Sequence, residues 1–360
     1  CIRDSNTYKL KLFCTLSCHV LHRTESDMNI YDISEKAGVS IATVSRVLNG
    51  SDNVSEKTRK KVEAIMKETG YMPNAFARGL TNNTMHTIGL LCADCSDHFL
   101  ANAISYLEHG FRENGYDCLL CCTGYELSNR QNYLKLLLSK KVDVVVLVGS
   151  TFIEPDEKDN QYLIDASNEV PIVSVNGYID SPNIYCTLCN DFEAILNVTT
   201  NLLNKGFEKP LFLCRSLSYS GRQKSEGFKK ALSDKSIPLK KEQMIYYHGS
   251  ISDTKEMLLS YYENTYQFDC VIAGDDELAV SAHKFAGTLG LSVPNQFSII
   301  GYNNSKVGIC CEPELSTLDN KLEFVCSNTV NSVMNILSGQ RVPRKTIVSA
   351  EYIERGTSDL

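Results

Sequence analysis

Asn29-Ile30-Tyr31-Asp32-Ile33-Ser34-Glu35-Lys36-Ala37-Gly38-Val39-Ser40-Ile41-Ala42-Thr43-Val44-Ser45-Arg46-Val47-Leu48-Asn49 is the stretch that decides how this chain folds. Asn29 is placed to cap a helix over residues 30–37, with Asp32 in its first turn and Gly38 to stop it. Only Val39 and Ser40 separate that glycine from a second helical pattern, and Ser40 is a good cap for it. Helical spacing turns Ala37, Val39, Val44, Val47 and Leu48 toward a core and leaves Ile41, Ala42, Ser45, Arg46 and Asn49 largely unburied. A third helix is expected from the cap Ser55 to Gly70. Two helices joined by a glycine turn, with small polar groups and an arginine on the free face, read as a helix-turn-helix and predict DNA binding.

Tyr31-Asp32-Ile33-Ser34, Ala37-Gly38-Val39-Ser40, Thr43-Val44-Ser45-Arg46-Val47-Leu48-Asn49, Val54-Ser55-Glu56-Lys57-Thr58-Arg59 and Gly70-Tyr71-Met72-Pro73-Asn74-Ala75-Phe76-Ala77-Arg78-Gly79-Leu80 fall in one order along the chain. In that order they resemble the headpiece of the lac/galactose repressor (LacI/GalR) family. The resemblance implies an α/β protein: an N-terminal all-α helix-turn-helix headpiece, then a two-lobed domain like periplasmic binding proteins, built on parallel sheets. It implies DNA contacts from Asn29, Ser40, Ile41, Ala42, Thr43, Ser45, Arg46 and Asn49. Arg46 suits a bidentate contact to guanine, and Ile41 and Ala42 suit thymine methyls or pyrimidine edges. The hydroxyls and Asn49 suit phosphates, which position without specifying. Plain solvent exposure is the alternative for Thr43 and Ser45, and a surface charge for Arg46. A second DNA element is implied at residues 74–83, where Asn74, Ala77, Arg78 and Leu80 match a hinge helix that enters the minor groove with Leu80 as wedge. A pseudo-palindromic double-stranded operator and a homodimer follow.

Length and composition fit this organisation. The 360 residues are 43% hydrophobic and 22% charged, enough for a sizeable core in two or three domains. The net charge of −7 is uneven: residues 28–80 hold eight Lys/Arg against six Asp/Glu, whereas the chain after residue 80 is acidic. A weakly basic headpiece on an acidic body suits contact with phosphates at one end only. Residues 1–27 read as an extension foreign to the fold. The apolar run within them is interrupted by Lys11, Thr15, Ser17 and His19, a poor signal peptide and too short for a membrane span. The domain boundaries expected are 1–27, headpiece 28–73, hinge and linker 74–83, and effector-binding and dimerisation domain 84–360, in a cytoplasmic protein with no membrane partner.

Beyond the linker the pattern alternates short apolar runs with amphipathic stretches. Strands are expected near 87–92, 116–122, 143–148, 171–175, 184–188, 210–214, 244–247, 270–273 and 298–302. Helices are expected near 99–113, 130–139, 192–204, 222–231, 254–262, 278–289 and 322–337. Such alternation predicts parallel sheets with helices on both faces, and the strand count predicts two lobes with a cleft between them.

Ligands of such folds bind where strand ends face the cleft. The resemblance points to Asp97, Phe99, Asn190, Lys224, Asp276 and Asn303 as effector-binding residues, and to a small molecule, a sugar or derivative, as effector. Phe99 would stack on an apolar ligand face and Asp276 would accept ligand hydroxyls. The alternatives are a core role for Phe99, a helix cap for Asp276 and turn positions for Asn190 and Asn303. Three positions depart from the family pattern. Lys224 replaces an arginine, Cys189 the aspartate usual before Asn190, and Asn303 the aspartate usual after the Gly-Tyr pair, which changes the pocket's hydrogen-bonding pattern. A protein corepressor is a further possibility.

Fifteen cysteines include Cys92-x-x-Cys95, Cys186-x-x-Cys189 and the pairs Cys121-Cys122 and Cys310-Cys311. Most read as small apolar fillers. A metal site would need the two CxxC pairs to converge, and a thiol sensor on the repressor plan is the alternative, with Cys95 and Cys189 near expected strand ends. The sequence carries no phosphate loop, nucleophile elbow or His-Glu-x-x-His, so neither an enzyme nor a cofactor is expected.

Overall fold

A computed structural model of the chain describes residues 28–48, 51–71 and 84–360. The chain divides into two compact units, one before residue 84 and one from Thr84 on. The expected hinge residues Asn74, Ala77, Arg78 and Leu80, together with Asn49, lie outside the described residues.

The first unit holds helices α1 (Ile30–Ala37), α2 (Ile41–Leu48) and α3 (Glu56–Thr69). Their ends are set by side chains. The Asn29 carboxamide oxygen accepts from the Tyr31 and Asp32 amides while Asp32 accepts from the Asn29 amide, a reciprocal cap. Gly38 closes α1 at φ +61°, a left-handed conformation that a β-carbon disfavours. The Ser40 hydroxyl accepts from the Thr43 amide at 3.2 Å, and Ser55 does the same for Thr58 at 3.3 Å. Ile33, Ala37, Val44, Val47 and Val62 form the buried core, with Val39, Leu48, Ile65 and Tyr71 packed around it.

The second unit has two six-stranded sheets. In lobe 1 these are β1 (Thr87–Cys92), β2 (Asp117–Cys122), β3 (Val144–Val148), β4 (Ile172–Val175), β5 (Ile184–Cys189) and β11 (Lys345–Val348), in the order β11-β5-β4-β3-β1-β2. Lobe 2 has β6 (Pro210–Cys214), β7 (Met244–Tyr246), β8 (Cys270–Ala273), β9 (Ser298–Tyr302), β10 (Thr317–Asp319) and β12 (Glu351–Ile353), in the order β12-β10-β9-β8-β6-β7. Every pairing is parallel except β10 with β12. The central strands are buried throughout, as in Val144–Val148 and Ser298–Tyr302, because helices cover both faces.

In lobe 1 the helices are α4 (His98–Glu113), α5 (Leu127–Ser139), α6 (Gln161–Ser167) and α11 (Leu322–Leu337). In lobe 2 they are α7 (Asp191–Asn204), α8 (Tyr219–Asp234), α9 (Ile251–Asn264) and α10 (Asp276–Leu289). The chain crosses between lobes three times: from β5 to α7, from β10 to α11, and from β11 to β12. Each lobe is therefore assembled from separate chain segments. The expected α/β class, parallel sheets and two lobes are all observed. Strands β10, β11 and β12, the last two at sheet edges and all three beside lobe crossings, were not among those expected.

Candidate functional site

The first candidate surface is the outer face of α2. Val44 and Val47 point into the headpiece core, which fixes the helix's rotation. That rotation leaves Ala42 and Arg46 exposed and Ile41 38% exposed. The Ser40 and Thr43 hydroxyls lie 2.9 Å apart and share a hydrogen bond, so the cap already engages both. Asn29 is committed in the same way to the start of α1. The face thus offers one guanidinium, with its forked donors, and the apolar side chains of Ile41 and Ala42, on a helix anchored by its opposite side.

The second site is a cleft of about 1090 Å³ between the lobes. Asp97 and Phe99 line it from lobe 1, with Asn102 and Tyr106 further along α4. Asp276 and Asn303 line it from lobe 2, beside Arg215, Asp275 and Glu277. Asp97 caps α4, its carboxylate accepting from the Leu100 amide at 3.0 Å. The Phe99 ring is half-buried, against the lobe 1 core on one side and the cleft on the other.

Asp275, not Asp276, caps α10, accepting from the Leu278 amide at 2.9 Å. Asp276 turns inward and is 2% exposed. Its two oxygens accept from the Thr317 hydroxyl and the Ser305 amide, each at 2.6 Å. Burial nevertheless dominates and pushes its carboxyl above the ordinary range. Asp276 therefore orders the wall of the cleft from behind. Asn303, at φ +99°, accepts from the Asn320 amide group at 2.8 Å.

Arg215 is the cation among these groups. It donates to Asp275 at 2.7 Å and to Glu277 at 2.6 Å, and the two carboxylates hold its guanidinium charge more firmly than usual despite burial. His98 of lobe 1 reaches to 3.9 Å from Glu277, and the ring of Tyr125 meets that of His248 edge-on at 6.2 Å, both across the lobes. The cleft lining is acidic: Asp97, Asp275, Asp276, Glu277, Asp319 and Glu323 face Arg215, Lys306 and Lys321.

Residues 29–74 match the family described as bacterial regulatory proteins, lacI family. Residues 85–356 match the periplasmic binding proteins and sugar binding domain of that family. The chain belongs to the LacI family. An HTH-type transcriptional regulator of Lachnoclostridium phytofermentans is 51% identical over 332 residues, 92% of this chain and 100% of that protein. Catabolite control protein A of Priestia megaterium is 29% identical over 298 residues, 81% of this chain and 87% of that one. Among solved structures, the lac repressor dimer bound to operator and the anti-inducer ONPF superposes with a TM-score of 0.82 at 22% identity, covering 92% of this chain and 98% of that one. This LacI-family chain is a DNA-binding transcriptional regulator with an effector-binding domain, and not an enzyme.

Two expected effector residues of this LacI-family member do not line the cleft cavity. Lys224 is buried on α8, its ammonium donating to the Gly274 carbonyl at 2.8 Å and sitting 3.5 Å from the Tyr302 ring centroid. It braces the strand end that leads into Asp275. Both contacts of this ammonium are made within the protein. Asn190 caps α7, accepting from the Glu193 amide and donating to the Glu193 carboxylate at 2.6 Å. Helix capping, a local requirement, explains its presence at the first lobe crossing.

Cys189 is buried, in contact with the Tyr302 hydroxyl at 3.5 Å, and burial pushes its thiol up to about 12. It is a packed thiol that does not line the cleft cavity. Cys186 is buried on the same strand with its thiol likewise at about 12. Among the described residues no group of three or more His, Cys, Asp or Glu is placed to hold a metal ion. Arg215, Tyr106 and Phe324 were missed from the sequence. Arg215 had a usable signal, since it directly follows β6, at the carboxyl end of a strand where α/β folds place ligands.

Proposed function

We propose that this regulator is a homodimeric repressor that reads a pseudo-palindromic operator through α2 and responds to a neutral, hydroxylated small molecule in the cleft. The observation that carries the DNA reading is the division of α2, with Val44 and Val47 buried and Ile41, Ala42 and Arg46 turned out. Arg46 would pair with guanine, and Ile41 and Ala42 would meet apolar base edges. Ser40, Thr43, Ser45, Asn49 and Asn29 would serve phosphates, and residues 74–80 the minor groove with Leu80 as wedge. A regulator of this kind works in the cytoplasm, where its operator is; among the described residues no helix is long and apolar enough to cross a membrane.

Cleft chemistry supports a carbohydrate. Phe99, Tyr106 and Phe324 offer rings for an apolar sugar face, and Asp97, Glu277, Asn303 and Asn304 offer groups for hydroxyls. The excess of carboxylates, with Arg215 already paired to two of them, works against a phosphorylated ligand. A dimer is supported by the likeness to the lac repressor, whose solved structure is of a dimer bound to operator. The ligand would change operator affinity by a coupling free energy between cleft and headpiece.

Selection of bound duplexes from a random DNA pool tests the reading. A pseudo-palindrome with a central pyrimidine–purine step is expected, and its affinity should shift with a neutral sugar more than with the matching sugar phosphate. A single asymmetric site, or a response to phosphorylated sugars alone, rejects it.

A further inference from the structure

Cys95 and Cys122 are both exposed, and their sulfurs lie 3.3 Å apart. They belong to neighbouring segments of lobe 1. Cys122 ends β2 and Cys95 lies just past β1, with the two strands in parallel register to their last residues, Cys92 beside Cys122. Beyond the strands the segments stay joined: the Thr123 amide donates to the Cys92 carbonyl at 2.8 Å and the Gly124 amide to Ala93 at 2.9 Å. The buried guanidinium of Arg130 donates to the Tyr125 carbonyl and pins the far side. A disulfide needs about 2.05 Å between sulfurs, so bonding asks for a closing movement of roughly 1.3 Å.

We propose that Cys95 and Cys122 are a redox-active dithiol, converted to an intramolecular disulfide by a low-molecular-weight disulfide. One thiol loses its proton to solvent and attacks a sulfur of the small disulfide, releasing one small thiol and leaving a mixed disulfide on the protein. The second protein thiol, deprotonated in turn, attacks the protein sulfur of that bond and releases the second small thiol. Two electrons pass from the protein pair to the small disulfide, and two small thiols leave. Cys92, the rival partner, is buried and so shielded from a small disulfide, with its thiol pushed up to about 12; burial raises the Cys122 thiol as well, so it is exposure that sets Cys95 and Cys122 apart. The new bond would staple the segment leading into Asp97 and Phe99 to the segment leading into Tyr125. Those are two parts of lobe 1 that face lobe 2. This chemistry does not depend on which ligand or operator the regulator takes.

The test incubates the full chain with oxidised glutathione, alkylates the remaining thiols and maps the peptides. A Cys95–Cys122 disulfide that dithiothreitol reverses is expected. Cys122→Ser should instead leave Cys95 carrying one glutathione, and Cys95→Ser the converse. Hydrogen exchange should slow at residues 94–99 in the oxidised chain and stay unchanged in oxidised Cys122→Ser. No disulfide at this pair, or a bond from either cysteine to a different thiol, overturns the proposal. A disulfide that forms without any change in exchange overturns the staple.

Discussion

The Thr317 hydroxyl donates to Asp276 at 2.6 Å, joining β10 to the start of α10 inside lobe 2. The other Asp276 oxygen holds the Ser305 amide, so one buried carboxylate fixes three segments that meet at the cleft. Gly301 is required beside it, because a β-carbon there would fall 2.3 Å from the Asp276 carboxylate. Thr317→Val keeps the volume and removes the donor, so the variant should lose about 1–3 kcal/mol, the cost of stranding a buried polar atom. Urea unfolding monitored in the second unit measures this. An unchanged midpoint would show that Asp276 has no need of Thr317.

The same carboxylate sets a pH dependence. Its folded value lies above the ordinary 3.8, since burial outweighs the hydrogen bonds from Thr317 and Ser305. A raised folded value means that the stability linked to this proton is fully present below the unfolded value and is lost as pH rises through the folded one. Asp276→Asn carries no such proton. The stability of wild type minus that of Asp276→Asn should therefore fall as pH rises from about 3.8 and level off once Asp276 is ionised in the folded state. A difference that grows with pH would reverse the assignment.

Ile33 is fully buried in a headpiece core of few residues. Ile33→Ala should cost about 2–5 kcal/mol, a large share of what so small a core supplies. Operator affinity should collapse while the thermal unfolding of the second unit stays within error of wild type. Retention of specific DNA binding would mean that α2 does not depend on this core.

Much of this architecture was legible because short-range chemistry announces it. Asn29, Gly38, Ser40, Ser55 and Gly70 bracket the three headpiece helices, and caps act within a few residues of chain. The central strands were legible as continuous apolar runs. Strands β10, β11 and β12 were not: β4 and β8 are as short but continuously apolar or nearly so, whereas Thr317-Leu318-Asp319, Lys345-Thr346-Ile347-Val348 and Glu351-Tyr352-Ile353 mix charged and polar residues into the run. Adjacent acids mislead in the same way: nothing in Asp275-Asp276 tells which one caps and which one turns inward. Lys224 was readable as a cation, but its burial depends on how α8 meets the strand end at Gly274, a tertiary fact.

Arg46 should act on sequence preference more than on overall affinity. Arg46→Ala should cost about 1–3 kcal/mol on the selected operator and relax the preference at one symmetric pair of positions. Fluorescence anisotropy against operator and scrambled duplexes separates the outcomes. Equal losses on both would make Arg46 a phosphate contact.

Arg215 is forked between Asp275 and Glu277, each side chain only partly exposed, and it lies where cleft ligands would meet charge. Arg215→Met leaves two carboxylates near each other without their shared cation. The expected loss is about 1–3 kcal/mol, between the values for exposed and buried pairs. Arg215→Lys should recover only part of it, because a point charge cannot fork both carboxylates as a guanidinium does. The Glu277 half can be isolated by a double-mutant cycle of Arg215→Met with Glu277→Gln, which leaves the Asp275 cap intact. A coupling energy of about 0.5–3 kcal/mol is expected. Strict additivity of the two changes would mean that the pair is geometric only, and that Arg215 owes its position to Asp275 and the Gly249 carbonyl.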